Sequence, residues 1–334
     1  MLDNSGLMSV LREPRNTREL SIAWVERFAT WAGVQGCTAR MIPDGGVILE
    51  NLGAERGTGW PCYVAHADTV GVPWCKALHW TGSVVRGVGG QIGADDGAGL
   101  MAIMMMIGAR HPGFYVVTLD EERGGLGAKI MAPVIAEMHK ERIIACCIEV
   151  DRRGTRDIVW DHATGATGSR AWAEYVAMVL CMGHTASSEG VFTDICYFTG
   201  VPGLNVAAGY QGAHSTDDSL DVDYLRQVTA RLMAVDHLIA GRAELGVSDR
   251  RSMFERAPWA MDDWTGPAHS APLQFDSYAR YHDDGPVGRA STGYTFTDLI
   301  EVDPAFVARW LIKRDKELAR SLKRALQRRW VGGV

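Results

Sequence analysis

Three times in this chain a run of apolar β-forming residues stops abruptly in charge: "WPCYVAHAD" (60–68), "GFYVVTLDEE" (113–122) and "RIIACCIEVD" (142–151). A strand whose apolar residues are continuous rather than alternating has no face to offer water. It therefore belongs inside a sheet covered on both sides. The segments between these runs supply the covering. "TRELSIAWVERFATWAG" (17–33) has a capping residue, a glutamate two residues later and apolar positions at helical spacing. "DGAGLMAIMMMIGAR" (96–110) is apolar on nearly every side, as a helix packed under a sheet would be, and its methionines read as core. "GLGAKIMAPVIAEMHK" (125–140) and "DVDYLRQVTARLMAVDHLIAG" (221–241) complete the alternation. The pattern predicts an α/β fold, a three-layer sandwich around a mostly parallel, mixed central sheet.

Bulk composition excludes several classes. A net charge of -6 over 334 residues does not suggest a nucleic-acid surface over the whole molecule, and no nucleic-acid partner is expected. No apolar run reaches the roughly 18 residues of a membrane span, and the start of the chain lacks a signal-peptide pattern, so the sequence predicts a soluble, cytoplasmic protein. The seven cysteines form no CxxC pair, and several sit in apolar runs, which predicts buried free thiols rather than a disulfide or thiolate-metal framework. Cys146 and Cys147, being adjacent on a strand, should face opposite ways.

In sheets of this kind functional groups gather beyond the carboxyl ends of the strands. His66 and Asp68 close one run, Asp120, Glu121 and Glu122 a second, and Asp151 a third. Asp95 and Asp96 stand just before a helix in "GQIGADDGAG", and His214 stands in the loop "GYQGAHSTDDS". Singly, each has a plain explanation as a core histidine, a helix cap or a turn acid. Gathered on one rim, two histidines and several carboxylates would repel and lose hydration unless a cation compensates. Nitrogen and oxygen donors without thiolate suit zinc or a similar divalent ion.

The order of these motifs, His-x-Asp, Gly-Ala-Asp-Asp-x-x-Gly, Asp-Glu-Glu, Asp, and His-Ser-Thr-x-Asp, resembles the co-catalytic zinc exopeptidases, from about Thr17 to Gly241. The resemblance implies a zinc exopeptidase-like domain over 1–247 with two divalent ions, zinc first and cobalt or manganese as alternatives. It implies that His66 and Asp151 hold one ion, that Glu122 and His214 hold the other, and that Asp95 bridges them. Asp68 would orient His66 by accepting its second ring proton. Glu121 would be the general base acting on a water between the ions, and the Asp95–Asp96 peptide would be cis. Arg123 departs from the apolar residue expected at its position.

Spacing narrows the branch. The interval from Asp151 to His214 is too short for a dimerising lid domain, and that from His66 to Asp95 is too short for an inserted β domain. The remaining resemblance is to the compact, lidless aminopeptidases, which act on peptides with a free N-terminus. The alternatives are a carboxypeptidase, or a deacylase acting on an N-acyl amino acid or related amide. More remote is a non-catalytic relative, disfavoured because all the motif residues are present. A dehydrogenase reading of "GVGGQIG" fails because no apolar strand leads into it. Arg152, Asp194 and Tyr210 are candidate substrate contacts. His184 reads as a loop histidine without a partner that would donate to an oxyanion only at a stretch.

Residues 248–302, rich in Trp, Tyr, Asp, Gly and Pro, read as an irregular aromatic arm, and 303–334 as a basic amphipathic helix. Together they form a C-terminal extension. The arm's aromatics would pack on the domain or reach a neighbour, and the helix reads as a solvated amphipathic helix, with a homo-oligomer contact or weak binding to an acidic partner as the alternatives.

Overall fold

Burial on both faces decides where the apolar runs go. In the computed structural model, which describes residues 4–52, 59–70 and 72–235, they become the centre of one eight-stranded sheet. The strands are β1 (Thr38–Ile42), β2 (Gly46–Asn51), β3 (Trp60–His66), β4 (Ala77–Thr81), β5 (Val84–Val88), β6 (Gly113–Thr118), β7 (Ile144–Arg152), β8 (Asp157–Val159), β9 (Asp161–His162), β10 (Gly165–Ala166), β11 (Thr185–Ser187), β12 (Gly203–Ala207), β13 (Tyr210–Gln211) and β14 (Ser219–Asp221). The large sheet runs β1-β2-β6-β3-β7-β12-β8-β11. Its inner strands β6, β3, β7 and β12 are mutually parallel, while β2 joins β6 and β8 joins β12 antiparallel. A second sheet, β13-β14-β5-β4, lies beyond it, and β9 and β10 form a short hairpin.

The helices are α1 (Asn4–Arg12), α2 (Arg18–Val34), α3 (Ala94–Gly108), α4 (Leu126–Lys140), α5 (Arg170–Leu180) and α6 (Val222–Leu232). Thr17 caps α2, its hydroxyl accepting from the Leu20 amide at 3.3 Å. Side chains of each central strand alternate between two cores. Tyr63 and Ala65 of β3, Tyr115 and Val117 of β6, and Cys146 and Ile148 of β7 pack with α1, α2, α3, α5 and α6. Cys62 and Val64, Phe114 and Val116, and Cys147 pack with α4 and a turn near Phe198. Cys146 and Cys147 thus face opposite sides of the sheet. This is the expected three-layer sandwich. The all-round apolar character of α3 also has its cause, since α3 touches β3 and β7 beneath it and α1 and α6 around it.

Several details differ from the sequence reading. The apolar run at 142–151 continues as a strand to Arg152. The hairpin β1–β2 and the second sheet add strands to those expected: β2 buries the short run Val47, Ile48 and Leu49, while β4 is largely exposed, so burial did not mark it. Cys181 is exposed, at the end of α5, unlike the buried Cys37, Cys62, Cys146, Cys147 and Cys196. No helix among the described residues is long and apolar enough to cross a membrane. The domain boundary expected at 247, the arm 248–302 and the helix 303–334 lie outside the described residues.

Candidate metal centre

Because β6, β3 and β7 are adjacent and parallel, their carboxyl ends open on one rim of the sheet. His66 ends β3, on the same side as Cys62 and Val64, and Asp151 stands at the end of β7. Behind them α3 begins with two residues out of helical geometry, Asp95 and Asp96, joined by a cis peptide bond as the resemblance implied. Asp96 is fully buried, and its carboxylate accepts from the amides of His66, at 3.2 Å, and Gly99, at 2.7 Å. Gly99 has to be glycine for this approach, since a Cβ there would stand 2.4 Å from an Asp96 oxygen. The glycine three residues after the second aspartate is therefore a packing requirement of the corner.

Asp95 is free to point forward. Its Oδ1 lies 3.1 Å from His66 Nε2 and its Oδ2 3.3 Å from His214 Nε2. His66 Nε2 is also 3.7 Å from Asp151 Oδ1 and 4.0 Å from Glu121 Oε2. On the other side His214 Nε2 is 2.7 Å from Glu122 Oε1. Three sets of donors each fall within 4.8 Å of one another: His66 with Asp96 and Asp151, His66 with Glu121 and Glu122, and Asp95 with Glu122 and His214. Asp96 is already committed to two backbone amides, so Asp95 is the better partner for His66 and Asp151.

The three acids after β6 separate. They leave the strand, which stops at Thr118, and Glu121–Arg123 forms a single 3-10 turn rather than a strand end. Asp120, at φ 54°, turns away and pairs with Arg18 of α2, with Arg123 at 3.8 Å on its other oxygen. Glu121 faces His66, and Glu122 faces His214. Asp68 fixes this turn, its carboxylate accepting from the Glu121 amide at 3.0 Å and the Glu122 amide at 3.1 Å. The expectation that the Asp68 carboxylate takes the second ring proton of His66 needs correction. His66 Nδ1 is 3.0 Å from the Asp68 carbonyl and 3.6 Å from its carboxylate, because that carboxylate is occupied by the two amides. With Nδ1 donating to the carbonyl, Nε2 is the nitrogen that faces Asp95 and Asp151, and it would supply a lone pair to an ion only after giving up the proton it directs at Asp95.

The electrostatics of this crowd are severe. Burial, followed by the charge of Asp95, pushes the Asp151 carboxyl up to about 7 against the opposing pull of His66. Burial holds the Glu121 carboxyl well above its ordinary value although His66 opposes it, with Glu122, Asp194 and Asp151 adding repulsion. Glu122 is raised by burial too, with its bond to His214 opposing. Asp95 goes the other way, since hydrogen bonds from His214 and His66 outweigh its burial. Burial disfavours the His214 cation, yet Asp95 and Glu122 raise its ring to about 10. Two imidazoles and a set of carboxylates so close are compatible only if protons or a cation neutralise them. The donor set fits divalent metal, with two imidazole nitrogens and carboxylate oxygens but no cysteine in any of the three groups among the described residues.

The remaining predicted residues sit around this cluster. Arg152 donates through Nε and Nη2 to one oxygen of Asp157, at 3.0 and 2.8 Å. Asp194 is fully buried, accepting from the Thr118 hydroxyl, and Tyr210 directs its hydroxyl to the Asp151 carbonyl at 3.0 Å. Both support the framework of the rim. His184 is buried against Tyr224, with Nε2 2.7 Å from the hydroxyl, so it is a packed core histidine rather than a lone loop residue. Sequence reasoning passed over Thr193, whose hydroxyl meets Asp151 Oδ2 at 3.2 Å and also Glu149, and Asn205, whose side-chain oxygen accepts from the Asp151 amide at 3.0 Å. It also gave no role to Asp218, whose carboxylate holds the Ile92 and Ala94 amides at 3.1 Å each. The one signal for Asp218 was its place in the His-Ser-Thr-x-Asp motif; Thr193 and Asn205 carry none.

No protein-family model matches the sequence, and no curated protein does. Solved structures do. A tripeptidase from Staphylococcus aureus matches with a TM-score of 0.56 at 13% identity, over 71% of this chain and 97% of its own. An aminopeptidase from the archaeon Desulfurococcus kamchatkensis matches at 0.54 and 12%, over 72% and 97%. The aminopeptidase PepT from Bacillus cereus matches at 0.53 and 14%, over 71% and 97%. At such identities the likeness is one of fold, and the chain has the α/β fold of these aminopeptidases and tripeptidases.

Proposed function

We propose that this chain is a metal-dependent exopeptidase that removes residues from the free N-terminus of peptides. His66, Asp95 and Asp151 would hold one divalent ion, and Asp95, Glu122 and His214 a second, zinc suiting the donors best. The observation that carries the reading is Asp95, whose two oxygens address two different histidines at 3.1 and 3.3 Å. When bound, such a pair of ions acidifies water and polarises a carbonyl oxygen.

The residues of the chain do the rest. Glu121 is buried beside the cluster, its Oε2 4.0 Å from His66 Nε2, where as a carboxylate it would take a proton from water and give it to the leaving amine. Its backbone and that of Glu122 are pinned by Asp68, so the base has a fixed origin. Asp96 and Asp218 hold the corner from which Asp95 projects. The aminopeptidase reading draws support from the fold neighbours and from the short connections, with small strands, α5 and the 3-10 turn Asp194–Cys196 separating β7 from β12. It also fits Arg152, which is tied to Asp157 and so offers no ready anchor for a substrate carboxylate.

A single screen tests this. Purified protein with its metal content measured is offered aminoacyl-anilides, N-blocked peptides and N-acyl amino acids. Cleavage confined to substrates with a free amine is expected. Cleavage of N-acyl amino acids alone would replace the proposal with a deacylase, and a metal-replete chain that cleaves none of them would leave it without support.

A further inference from the structure

Among the described residues Arg15 is the one lysine or arginine that is buried, at 0% exposure. It lies in the turn between α1 and α2, far in sequence from the metal centre. A guanidinium removed from water is costly unless its donors are met. Here they are met almost entirely by backbone. Nε donates to the Ala67 carbonyl at 2.8 Å, Nη2 to the Gly93 carbonyl at 3.0 Å, and Nη1 to the carbonyls of Val10 and, at 3.3 Å, Glu13. The flat group stands over two indoles, 5.6 Å from the Trp24 ring centre and 5.5 Å from that of Trp74. Its own carbonyl accepts from the Thr69 amide at 3.2 Å and the Ser21 hydroxyl at 2.8 Å. Gly97 leaves the space it occupies, since a Cβ there would come to 3.1 Å from Nη2.

Two of the carbonyls it grips flank the ligands. Ala67 follows His66, and Gly93 stands two residues before Asp95. We propose that Arg15 is a positioning residue for the metal centre, its planar fork tying the end of β3 to the corner before α3 so that His66 and Asp95 stand at pairing distance before an ion arrives. This rests on the metal-centre reading above. The fork matters as much as the charge. An ammonium is a compact donor on a flexible stem and cannot meet the Ala67, Val10 and Gly93 carbonyls from three fixed nitrogens while stacking on the indoles as a plane does. Burial lowers the guanidinium pKa only to about 10, so Arg15 remains a cation beside Asp96, Glu13, Asp68 and Asp218.

The test is zinc affinity, titrated in competition with a chromophoric chelator, with metal stoichiometry and circular dichroism recorded for each chain. The comparison is wild type, Arg15→Lys, Arg15→Met and Trp74→Leu. Outer residues that orient ligands typically change metal affinity by about 10- to 100-fold. We expect both Arg15 variants to lose about that much in one of two binding steps, the one at His66, while the step at Glu122 and His214 moves less. Arg15→Lys should rescue little. Full rescue by lysine would show that charge alone suffices and would overturn the clamp, as would unchanged affinity in both variants. If the Arg15 variants do not fold, Trp74→Leu decides, with a several-fold weakening of the same step expected and wild-type affinity counting against the proposal. A wild-type chain that takes up no zinc, cobalt or manganese fails the metal-centre reading itself, whereas two ions bound normally by every variant fails only the role of Arg15.

Discussion

The two halves of the rim are built differently. His66 closes a central strand and is 1% exposed, with Asp96 on its amide and the Asp68 carbonyl on its ring. His214 stands in a loop at φ 63°, its side chain 42% exposed, with Glu122 and Asp95 as its ring partners. Half of the site is thus part of the core and half is mounted on the surface. A core ligand is positioned by packing that exists with or without metal, while a loop ligand depends on the ion to hold it in place. The core half should survive loss of the surface half, and the reverse should fail.

Substitutions can break that asymmetry, beginning with the residue both halves share. Asp95→Ala should abolish binding of both ions and with it all turnover, measured by metal content per chain after dialysis. Glu121→Gln should keep both ions yet lower kcat by about 10²- to 10⁴-fold, since only the proton transfer is removed. Normal hydrolysis by that variant would end its role as base. His66→Ala should cost the metal-free protein about 3–5 kcal/mol, because it strips a buried partner from buried carboxylates. His214→Ala, by contrast, should leave the metal-free melting curve within about 0.5 kcal/mol of wild type and lose one ion. Equal destabilisation by the two would erase the distinction between core and surface halves.

A further modest effect, seen only as pH changes, lies away from the rim. Burial, aided by Arg231, lowers the His184 ring to about 4, so the folded protein keeps it neutral where the unfolded chain, near 6.5, would already be protonated. Its contribution to stability is therefore complete above about pH 6.5 and is lost as pH falls from there toward 4. With solvent screening allowed for, this amounts to about 1 kcal/mol at pH 5. Urea melts of His184→Gln should show a correspondingly shallower loss of stability between pH 7 and 5, and an unchanged slope would remove His184 as its source.

How far these features could be read from sequence depends on their range. Cys62, Val64 and His66 share one side of β3 by the period of a strand, and Glu122 and Asp95 sit in short motifs at strand and helix ends, so their gathering followed from local pattern. The pairing of Asp120 with Arg18 spans a hundred residues of chain, and that of Arg15 with Gly93 spans 78. Nothing in either segment announces the other. Asp68 shows the same limit at close quarters. Its neighbourhood to His66 was legible, but the choice between binding the ring and binding the Glu121 and Glu122 amides was made by the turn after β6. Likewise Arg152 looked available until Asp157 folded back onto it.

The sequence by itself determined the layers of the sandwich, the helices between its central strands and the kinds of donor that meet at its rim, because periodicity and residue chemistry act over a few positions. Only the tertiary structure decided which of three consecutive acids faces which partner and how the corner at Asp95 is held. Those choices rest on hydrogen bonds and ion pairs between segments far apart in the chain, and in a buried site each polar group takes whichever partner the packing brings within about 3 Å.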